Sequence, residues 1–183
     1  MTVYPLVTWD FKTISELPPI LEWENEPKSW SLGAGGLKVH PAGKTDLWQR
    51  THYGTRNDSG HFLKTARKEK NFTLTTRVRY QGKHDFDQAG LLIRISPQNW
   101  IKTSVEFQPR AMDKLGAVVT NLGYSDWSCQ DFLNPNNEIL LRIRAERPDF
   151  IIEYRIPGSN EEWTLLRIAH LHTDHPDIPI QAG

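Results

Sequence analysis

The sequence has a single cysteine, two methionines and no excess of either charge. Its 22 Lys and Arg residues balance 22 Asp and Glu residues, so the formal net charge of the 183-residue chain is zero. A protein that binds nucleic acid usually carries a basic patch, and a neutral chain without a basic cluster argues against that class. No apolar run reaches the ~20 residues of a membrane-spanning helix. We therefore expect neither nucleic acid nor a membrane as a partner.

A disulfide framework and a secretory signal are also missing. Cys129 has no second cysteine to pair with, which is typical of proteins in a reducing compartment. Residues 1–10 contain neither a basic segment nor an uninterrupted apolar run, the two features of a signal peptide. These observations predict a cytoplasmic protein.

Motifs for cofactors and metals are equally scarce. The glycine-rich segment 33–36 precedes a strand-like stretch rather than a helix, which argues against a phosphate-binding loop. Segment 170–175 contains three histidines, but their spacing matches no standard zinc pattern and no cysteine joins them. We expect no cofactor and no metal site.

The dominant hydrophobic period is two, which is the period of β-strands. Apolar and polar residues alternate in five segments, 72–80, 91–95, 101–107, 141–145 and 150–156. No segment longer than about ten residues keeps the period of a helix. The pattern predicts a single all-β domain over residues 1–183, an antiparallel two-sheet β-sandwich. Its predicted core contains Ile93, Ile95, Ile101, Val105, Phe107, Leu141, Ile143, Ile152 and Tyr154.

Several short motifs are more specific than the alternation. In chain order they are W-x-N-E-P-x-x-W at residues 23–30, T-D-x-W at 45–48, F-D-Q-A-G-L at 86–91, W-I-K at 100–102 followed by Glu106, and S-D-W-S at 125–128. Together they resemble the uncharacterised domain family that includes the fungal "regulation of enolase" proteins. That family is grouped in the concanavalin A-like lectin/glucanase superfamily, and the resemblance runs from about Trp23 to Arg167.

The resemblance implies a jelly-roll β-sandwich and, for the fungal members, an intracellular protein tied to regulation of a glycolytic enzyme. Bacterial relatives are often attached to secreted carbohydrate-active proteins, so the resemblance also implies a link to carbohydrate metabolism. In the family, a segment like residues 178–183 opens a strand that is followed by a small-residue loop and one more strand. The resemblance therefore predicts that the last strand or strands of the sandwich lie beyond Gly183.

The strongest candidate site lies on the polar face of two predicted strands. A tight loop at residues 97–99 is predicted to set Gly90 opposite Glu106 and Arg94 opposite Lys102. A glycine opposite a carboxylate leaves open space above that carboxylate, and two adjacent cations need an acidic neighbour. A polar, aromatic and charge-compensated face of this kind predicts a concave binding groove.

The candidate groove combines this face with residues from the motifs and from a long loop predicted after Thr120. Its members are Asp46, Trp48, Gln88, Arg94, Trp100, Lys102, Glu106, Asp126 and Trp127. The tryptophans could instead pack at edges and loops, and the aspartates could cap turns. Glu106 has two interpretations, an ion pair with Lys102 or Arg94 that keeps its pKa low, or an acid–base group with a raised pKa. We expect the ion pair.

Known catalytic patterns are missing from the chain. The resemblance to the superfamily's glucanases would imply a motif of the form E-x-D-x-x-E on one strand, and this chain has no such motif. Neither Ser125 nor Ser128 lies in a G-x-S-x-G turn. We therefore expect no catalytic residues and a non-enzymatic binding or regulatory protein. Its partner is expected to be a glycolytic enzyme, enolase, or a glycan-like small molecule. The alternative is a lectin-like carbohydrate-binding protein or a glycoside hydrolase that uses the same groove.

Overall fold

The computed structural model describes residues 7–133, 136–158, 162–175 and 177–183. This part of the chain consists of strands, turns and loops and contains no helix. In chain order its strands are β1 (Glu22–Glu24), β2 (Ser29–Gly33), β3 (Gly36–His40), β4 (Leu47–Gln49), β5 (Arg56–Asp58), β6 (Phe62–Arg67), β7 (Asn71–Arg79), β8 (Gln88–Ser96), β9 (Asn99–Glu106), β10 (Asp113–Asn121), β11 (Tyr124–Phe132), β12 (Glu138–Glu146), β13 (Asp149–Arg155), β14 (Thr164–His170) and β15 (Ile180–Ala182). Residues 157–160, with the sequence Pro-Gly-Ser-Asn, predict a turn that lies partly outside the described residues.

Two antiparallel sheets form the body of the molecule. The large sheet has the strand order β1-β6-β15-β8-β9-β10-β11, and the small sheet has the order β14-β13-β12-β7. The hairpins β2–β3 and β4–β5 form separate two-stranded sheets. Apolar residues of both larger sheets share one hydrophobic core, which confirms the predicted antiparallel two-sheet sandwich.

The core follows the predicted alternation. Six of its nine predicted members are almost completely buried, namely Ile93, Ile101, Val105, Leu141, Ile143 and Ile152. Ile95 and Tyr154 are partly buried against the same cluster. Phe107 lies just beyond the end of β9, where its ring occupies the space beside Gly82.

A second hydrophobic cluster lies on the other face of the large sheet. Hairpin β4–β5 folds across that face and places Leu47 and Trp48 against three residues of the sheet core, Leu92, Trp100 and Val118. Trp100 is completely buried there, and its indole N–H donates to the Pro97 carbonyl at 3.2 Å. The motif that contains Trp48 therefore builds a covering layer over part of the sheet face.

The register of β8 and β9 differs by two residues from the predicted one. Gly90 pairs with Ser104, and Gln88, rather than Gly90, pairs with Glu106. The turn is tighter than predicted, because Ser96 pairs directly with Asn99 and the ladder is irregular before it. Since side chains alternate with a period of two, a two-residue shift leaves every side chain on its predicted face.

The strand predicted at residues 178–183 is present as β15, in the interior of the large sheet. It pairs with β6 on one side and with β8 on the other. Gly183 continues this pairing, since its N–H donates to the Leu92 carbonyl at 3.0 Å and its carbonyl accepts the Leu92 N–H at 2.7 Å. The further strands expected beyond Gly183 stay a prediction.

The prediction of a long loop after Thr120 is wrong. Strand β10 continues to Asn121, and β11 begins at Tyr124 after a tight turn at Leu122 and Gly123. Both turn residues have positive φ, 53° and 77°, which closes the hairpin in two residues.

Within the described residues, no helix has the length and hydrophobicity needed to cross a membrane.

Candidate functional site

The outer face of the large sheet is open where hairpin β4–β5 does not cover it. Strand register places two rows of side chains in this open part, which we call the trough. One row consists of the small residues Gly90, Ser104, Gly116 and Cys129, and the other consists of Gln88, Glu106, Lys114 and Asp131. The trough is therefore a strip of small residues bordered by a row of polar and charged ones.

The two glycines of the trough bring the strands close together. A Cβ at Gly90 would lie 1.8 Å from the Thr103 carbonyl oxygen, and one at Gly116 would lie 2.4 Å from that of Ser128. The prediction that Gly90 leaves open space above Glu106 is wrong, because Gly90 faces Ser104 and its missing side chain makes room for backbone. The indole nitrogen of Trp127 lies 3.0 Å from the Cβ position of Gly116, so this ring borders the trough.

Glu106 is the buried carboxylate of the trough. It is 8% exposed, and its Oε1 accepts a hydrogen bond from the Gln108 side-chain amide at 3.0 Å. Among the described residues, no cation lies within ion-pair distance of Glu106, and its Oε2 has no hydrogen-bond partner. Oε2 is thus without a protein partner, and it is not one of the buried unpaired atoms of the described residues, so it remains open to solvent.

Burial raises the pKa of Glu106 above its usual value, and the hydrogen bond from Gln108 and the charge of Lys102 only partly offset this effect. The negative charge of Asp46 raises the pKa further. The predicted ion pair with a lowered pKa is therefore wrong. Its physical reason is that both candidate cations bind other carboxylates.

Lys102 and Arg94 are engaged by residues of the covering layer and of β1. The Lys102 ammonium lies 3.3 Å from Asp46 Oδ1 and donates to the Leu47 carbonyl. Arg94 makes a bidentate pair with Asp58, at 2.7 and 2.8 Å, and its Nε lies 3.1 Å from a carboxylate oxygen of Glu24. These ion pairs join hairpin β4–β5 to the large sheet and link β1 with β8 within that sheet.

Asp46 has the turn-capping role that was its structural alternative. Its Oδ1 accepts the backbone N–H of Leu47 at 2.7 Å, at the start of β4. The same oxygen binds Lys102, so Asp46 joins the hairpin to the edge of the trough. Gln88, at the far side, accepts a hydrogen bond from the Ser104 hydroxyl at 3.3 Å.

The nine candidate residues do not form one groove. Gln88, Lys102, Glu106 and Asp46 lie in or beside the trough, whereas Arg94 and Trp100 are buried beneath the hairpin. Trp48, Asp126 and Trp127 border a separate pocket beside the β10–β11 turn. Asp126 projects from the opposite face of β11 to Trp127, and its carboxylate lies 3.4 Å from Arg167 on β14.

The residues that make the polar contacts in and beside the trough were not all predicted from the sequence, since Gln108, Lys114 and Asp131 were missed. Gln108 holds Glu106, and Lys114 on β10 binds Asp131 on β11, a contact that raises the pKa of Lys114. Gln108 lies two residues beyond Glu106, which is a detectable signal for a shared face. The cross-strand pairing of Lys114 and Asp131 requires a hairpin where we expected a loop.

The histidine-rich segment has local partners in this structure. His170 Nδ1 lies 2.6 Å from Asp149 Oδ1, and the rings of His170 and His172 are 5.1 Å apart. No group of three His, Cys, Asp or Glu residues suited to a metal ion occurs in the described part of the chain.

Comparison with known proteins identifies two kinds of relative. The family model described as "Protein of unknown function (DUF1349)" matches residues 23–183. The chain is 36% identical over 157 residues to "Regulation of enolase protein 1" of Saccharomyces cerevisiae, and the match covers 84% of this chain and 75% of the yeast protein.

Solved structures agree on the fold. A Saccharomyces cerevisiae protein described as functionally unknown aligns with a TM-score of 0.76 and 29% identity, covering 89% of this chain and 91% of that one. The GH43 protein BlXynB of Bacillus licheniformis aligns with a TM-score of 0.71 and 16% identity over 98% of this chain but only 36% of its own. A xylan beta-1,4-xylosidase of Bacillus halodurans gives the same TM-score and identity, over 37% of its own chain. At 16% identity, the likeness to these larger proteins shows the fold alone.

Proposed function

We propose that this chain, which belongs to the family described as a protein of unknown function (DUF1349), is a non-enzymatic binding protein. Its partner contacts the trough, and Glu106 is the central contact. The observation that carries this proposal is the buried Glu106 carboxylate, which has a free oxygen and no paired cation. Burial without a paired cation raises the pKa of this carboxylate, and groups with a shifted pKa are concentrated at functional sites.

The chemistry of the trough defines what it can accept. Glu106 offers a free acceptor oxygen, and the neighbouring Gln88 and Ser104 add neutral polar groups. Lys102 and Lys114 are held by carboxylates of the protein. A partner that donates a hydrogen bond or carries a positive charge therefore suits the trough best, because it would supply the interaction that Glu106 lacks.

The name of the yeast relative supports a partner in carbohydrate metabolism, namely enolase. A cytoplasmic location is consistent with such a partner and with the exposed, unpaired Cys129. We therefore extend the proposal to regulation of enolase by direct contact in the cytoplasm.

The test is binding to purified yeast enolase by isothermal titration calorimetry. The wild-type chain is expected to bind saturably, and Glu106→Gln is expected to weaken binding by about tenfold or more, as loss of a central contact does. Glu138→Gln on the small sheet is the matched control and should bind like the wild type. Absence of binding by the wild type, or equal binding by Glu106→Gln, would overturn the proposal.

A carbohydrate-active enzyme is the second candidate, and one observation favours it. Burial and the charge of Asp46 raise the pKa of Glu106, which is the property that a general acid requires. If this candidate is correct, hydrolysis of nitrophenyl glycosides or of xylobiose should be measurable, and Glu106→Gln should reduce it by ~10²- to 10⁴-fold. Absence of turnover by the folded wild type would reject the enzymatic candidate and leave the binding function.

A further inference from the structure

A pocket of about 500 Å³ lies beside the trough, between the β4–β5 turn and the start of β11. Four aromatic rings border it, from Trp48, Tyr53, Tyr124 and Trp127, together with the imidazole of His52. The volume lies in the range of small-molecule sites. The trough does not include this pocket, and Trp127 is the residue that borders both.

The β4–β5 turn holds its part of the pocket in a fixed shape. Arg50, His52 and Gly54 all have positive φ, between 55° and 68°. The turn is closed by the Arg50 N–H, which donates to the Thr55 carbonyl at 2.7 Å, and by the Gly54 N–H, which donates to the Arg50 carbonyl at 2.7 Å. Positive φ at two residues other than glycine costs stability, and such strain is concentrated at functional sites.

The rings are arranged to present their surfaces to solvent. Tyr53 packs edge-on against Trp48, with ring centroids 5.5 Å apart, and the Trp48 indole N–H donates to the Thr51 carbonyl at 3.0 Å. Tyr53, Tyr124 and Trp127 are 62%, 59% and 41% exposed. Three exposed rings around one pocket form an apolar surface that is favourable to cover.

Two charged groups lie beside the pocket: Arg50, which no carboxylate of the described residues pairs and whose buried Nε has no hydrogen-bond partner, and Asp126, which pairs with Arg167. The Arg50 guanidinium lies over the Tyr124 ring, 5.1 Å from its centroid, and the Asp126 carboxylate lies 3.4 Å from Arg167. Among the described residues, the hydroxyl groups of Thr51 and Tyr53 have no hydrogen-bond partner. The pocket thus offers flat apolar rings and neutral hydroxyl groups, with the Arg50 guanidinium beside them.

We propose that this pocket binds a neutral sugar ring. A pyranose has an apolar C–H face that can lie on an aromatic ring and hydroxyl groups at its edge that can bond to Thr51 and Tyr53. A cationic ligand is disfavoured because the Arg50 guanidinium, which no carboxylate of the described residues pairs, lies over Tyr124 beside the pocket. This site is independent of Glu106 and of the function proposed for the trough.

The test is isothermal titration calorimetry, in which cellobiose, xylobiose and maltose are titrated separately into the protein. At least one disaccharide is expected to bind the wild type saturably, and Tyr53→Ala and Trp127→Ala are each expected to weaken that binding by about tenfold, as loss of a central aromatic contact does. Phe86→Ala removes an exposed ring outside the pocket and is the matched control, which should bind like the wild type. Circular dichroism verifies that each variant is folded.

Three outcomes would overturn the inference. The first is no binding of any of the three disaccharides to the wild type. The second is binding that Tyr53→Ala leaves unchanged, because Tyr53 belongs to the pocket and not to the trough. The third is binding of a proline-rich peptide in the pocket in place of a sugar, since aromatic surfaces also bind such peptides. Glu106→Gln should leave sugar binding unchanged, so a failure here is distinct from a failure of the enolase test.

Discussion

Two buried charged centres of this protein differ in how completely they are paired. Arg147, after β12, and Asp174, after β14, both have fully buried side chains and bind each other. Arg147 Nε lies 2.9 Å from Asp174 Oδ2, and its Nη2 also donates to the carbonyls of His175 and Ile178 at 2.8 and 2.6 Å. Among its nitrogens only Nη1 lacks a partner. Glu106 is nearly as buried but has one hydrogen bond and no ion pair.

The difference indicates different roles for the two centres. Arg147 and Asp174 stabilise each other in place and join the loops at one end of the sandwich, and both carboxylate oxygens of Asp174 accept hydrogen bonds from Arg147, so none is available for a ligand. Glu106 is held in position by Gln108 but keeps Oε2 free. A carboxylate that is buried without full compensation is unfavourable for the fold, and this is the condition in which a binding or acid–base group is expected.

The largest effect should come from the paired centre. Asp174→Ala leaves the Arg147 guanidinium buried without a counter-ion, and we expect the free energy of unfolding to fall by ~3–5 kcal/mol. Urea denaturation followed by fluorescence measures this change. Asp149→Ala, which removes an exposed carboxylate paired with His170, is the control and should change stability little. A loss no larger for Asp174→Ala than for Asp149→Ala would contradict the structural role.

A smaller loss is expected at Arg94, which is buried but less completely than Arg147. Asp58→Asn keeps the shape of the side chain and removes the charge that binds the guanidinium at 2.7 Å. We expect a loss of ~1–3 kcal/mol, because a hydrogen bond to a buried charged group is weakened while Glu24 still compensates the charge. Thermal and urea denaturation should agree on the sign, and an unchanged stability would show that hairpin β4–β5 does not depend on this pair.

The opposite sign is expected for Glu106. Glu106→Gln removes a buried charge and keeps a group that can accept from Gln108, so stability at neutral pH should rise, within the ~0.5–2 kcal/mol that single stabilising substitutions give. Urea denaturation at pH 7 measures the change. A clear loss of stability would mean that an ionised Glu106 supports the fold, as in the ion pair expected from the sequence.

The pH dependence of stability should separate Glu106 from a surface carboxylate. Because the pKa of Glu106 in the folded state is raised above 4.5, the native state binds more protons than the unfolded state just above that pH. The free energy of unfolding therefore falls as pH rises from 4.5 through the folded pKa. Glu138 has the opposite effect, since hydrogen bonding to Arg77 lowers its pKa and its contribution is lost as pH falls below 4.5. Unfolding curves of Glu106→Gln and Glu138→Gln, measured between pH 3 and 7, give the contribution of each carboxylate to the pH dependence of the free energy of unfolding.

The alternation of apolar residues is sufficient to predict the sandwich, because only one parity of side chains in each strand can face the core. It also predicts that Arg94 and Glu106 lie on the same face of the sheet, because a two-residue error in register does not change the face on which a side chain lies. It cannot predict that hairpin β4–β5 buries Trp100, because no local pattern encodes a contact between segments so far apart in the chain. The partners of Arg94 on β1 and β5 are hidden for the same reason.

The error at Glu106 has a related cause. The sequence places two cations on the same face, and proximity along neighbouring strands favours an ion pair. Lys102 instead binds Asp46, whose position depends on the fold of the hairpin. A short motif such as T-D-x-W indicates that Asp46 and Trp48 matter, but the surface that they contact follows only from the assembled sheet.

The most direct test of this account is the pKa of Glu106 itself. Carbon-detected NMR of the side-chain carboxyl groups, with Glu106→Gln used to assign the signal, gives that pKa from a titration of the wild-type protein. We predict a pKa above 4.5, the ordinary value for glutamate, because burial outweighs the hydrogen bond from Gln108 and the charge of Lys102. A pKa at or below 4.5 would show that a cation compensates Glu106, and it would contradict the assignment of this carboxylate as the unpaired centre of a binding site.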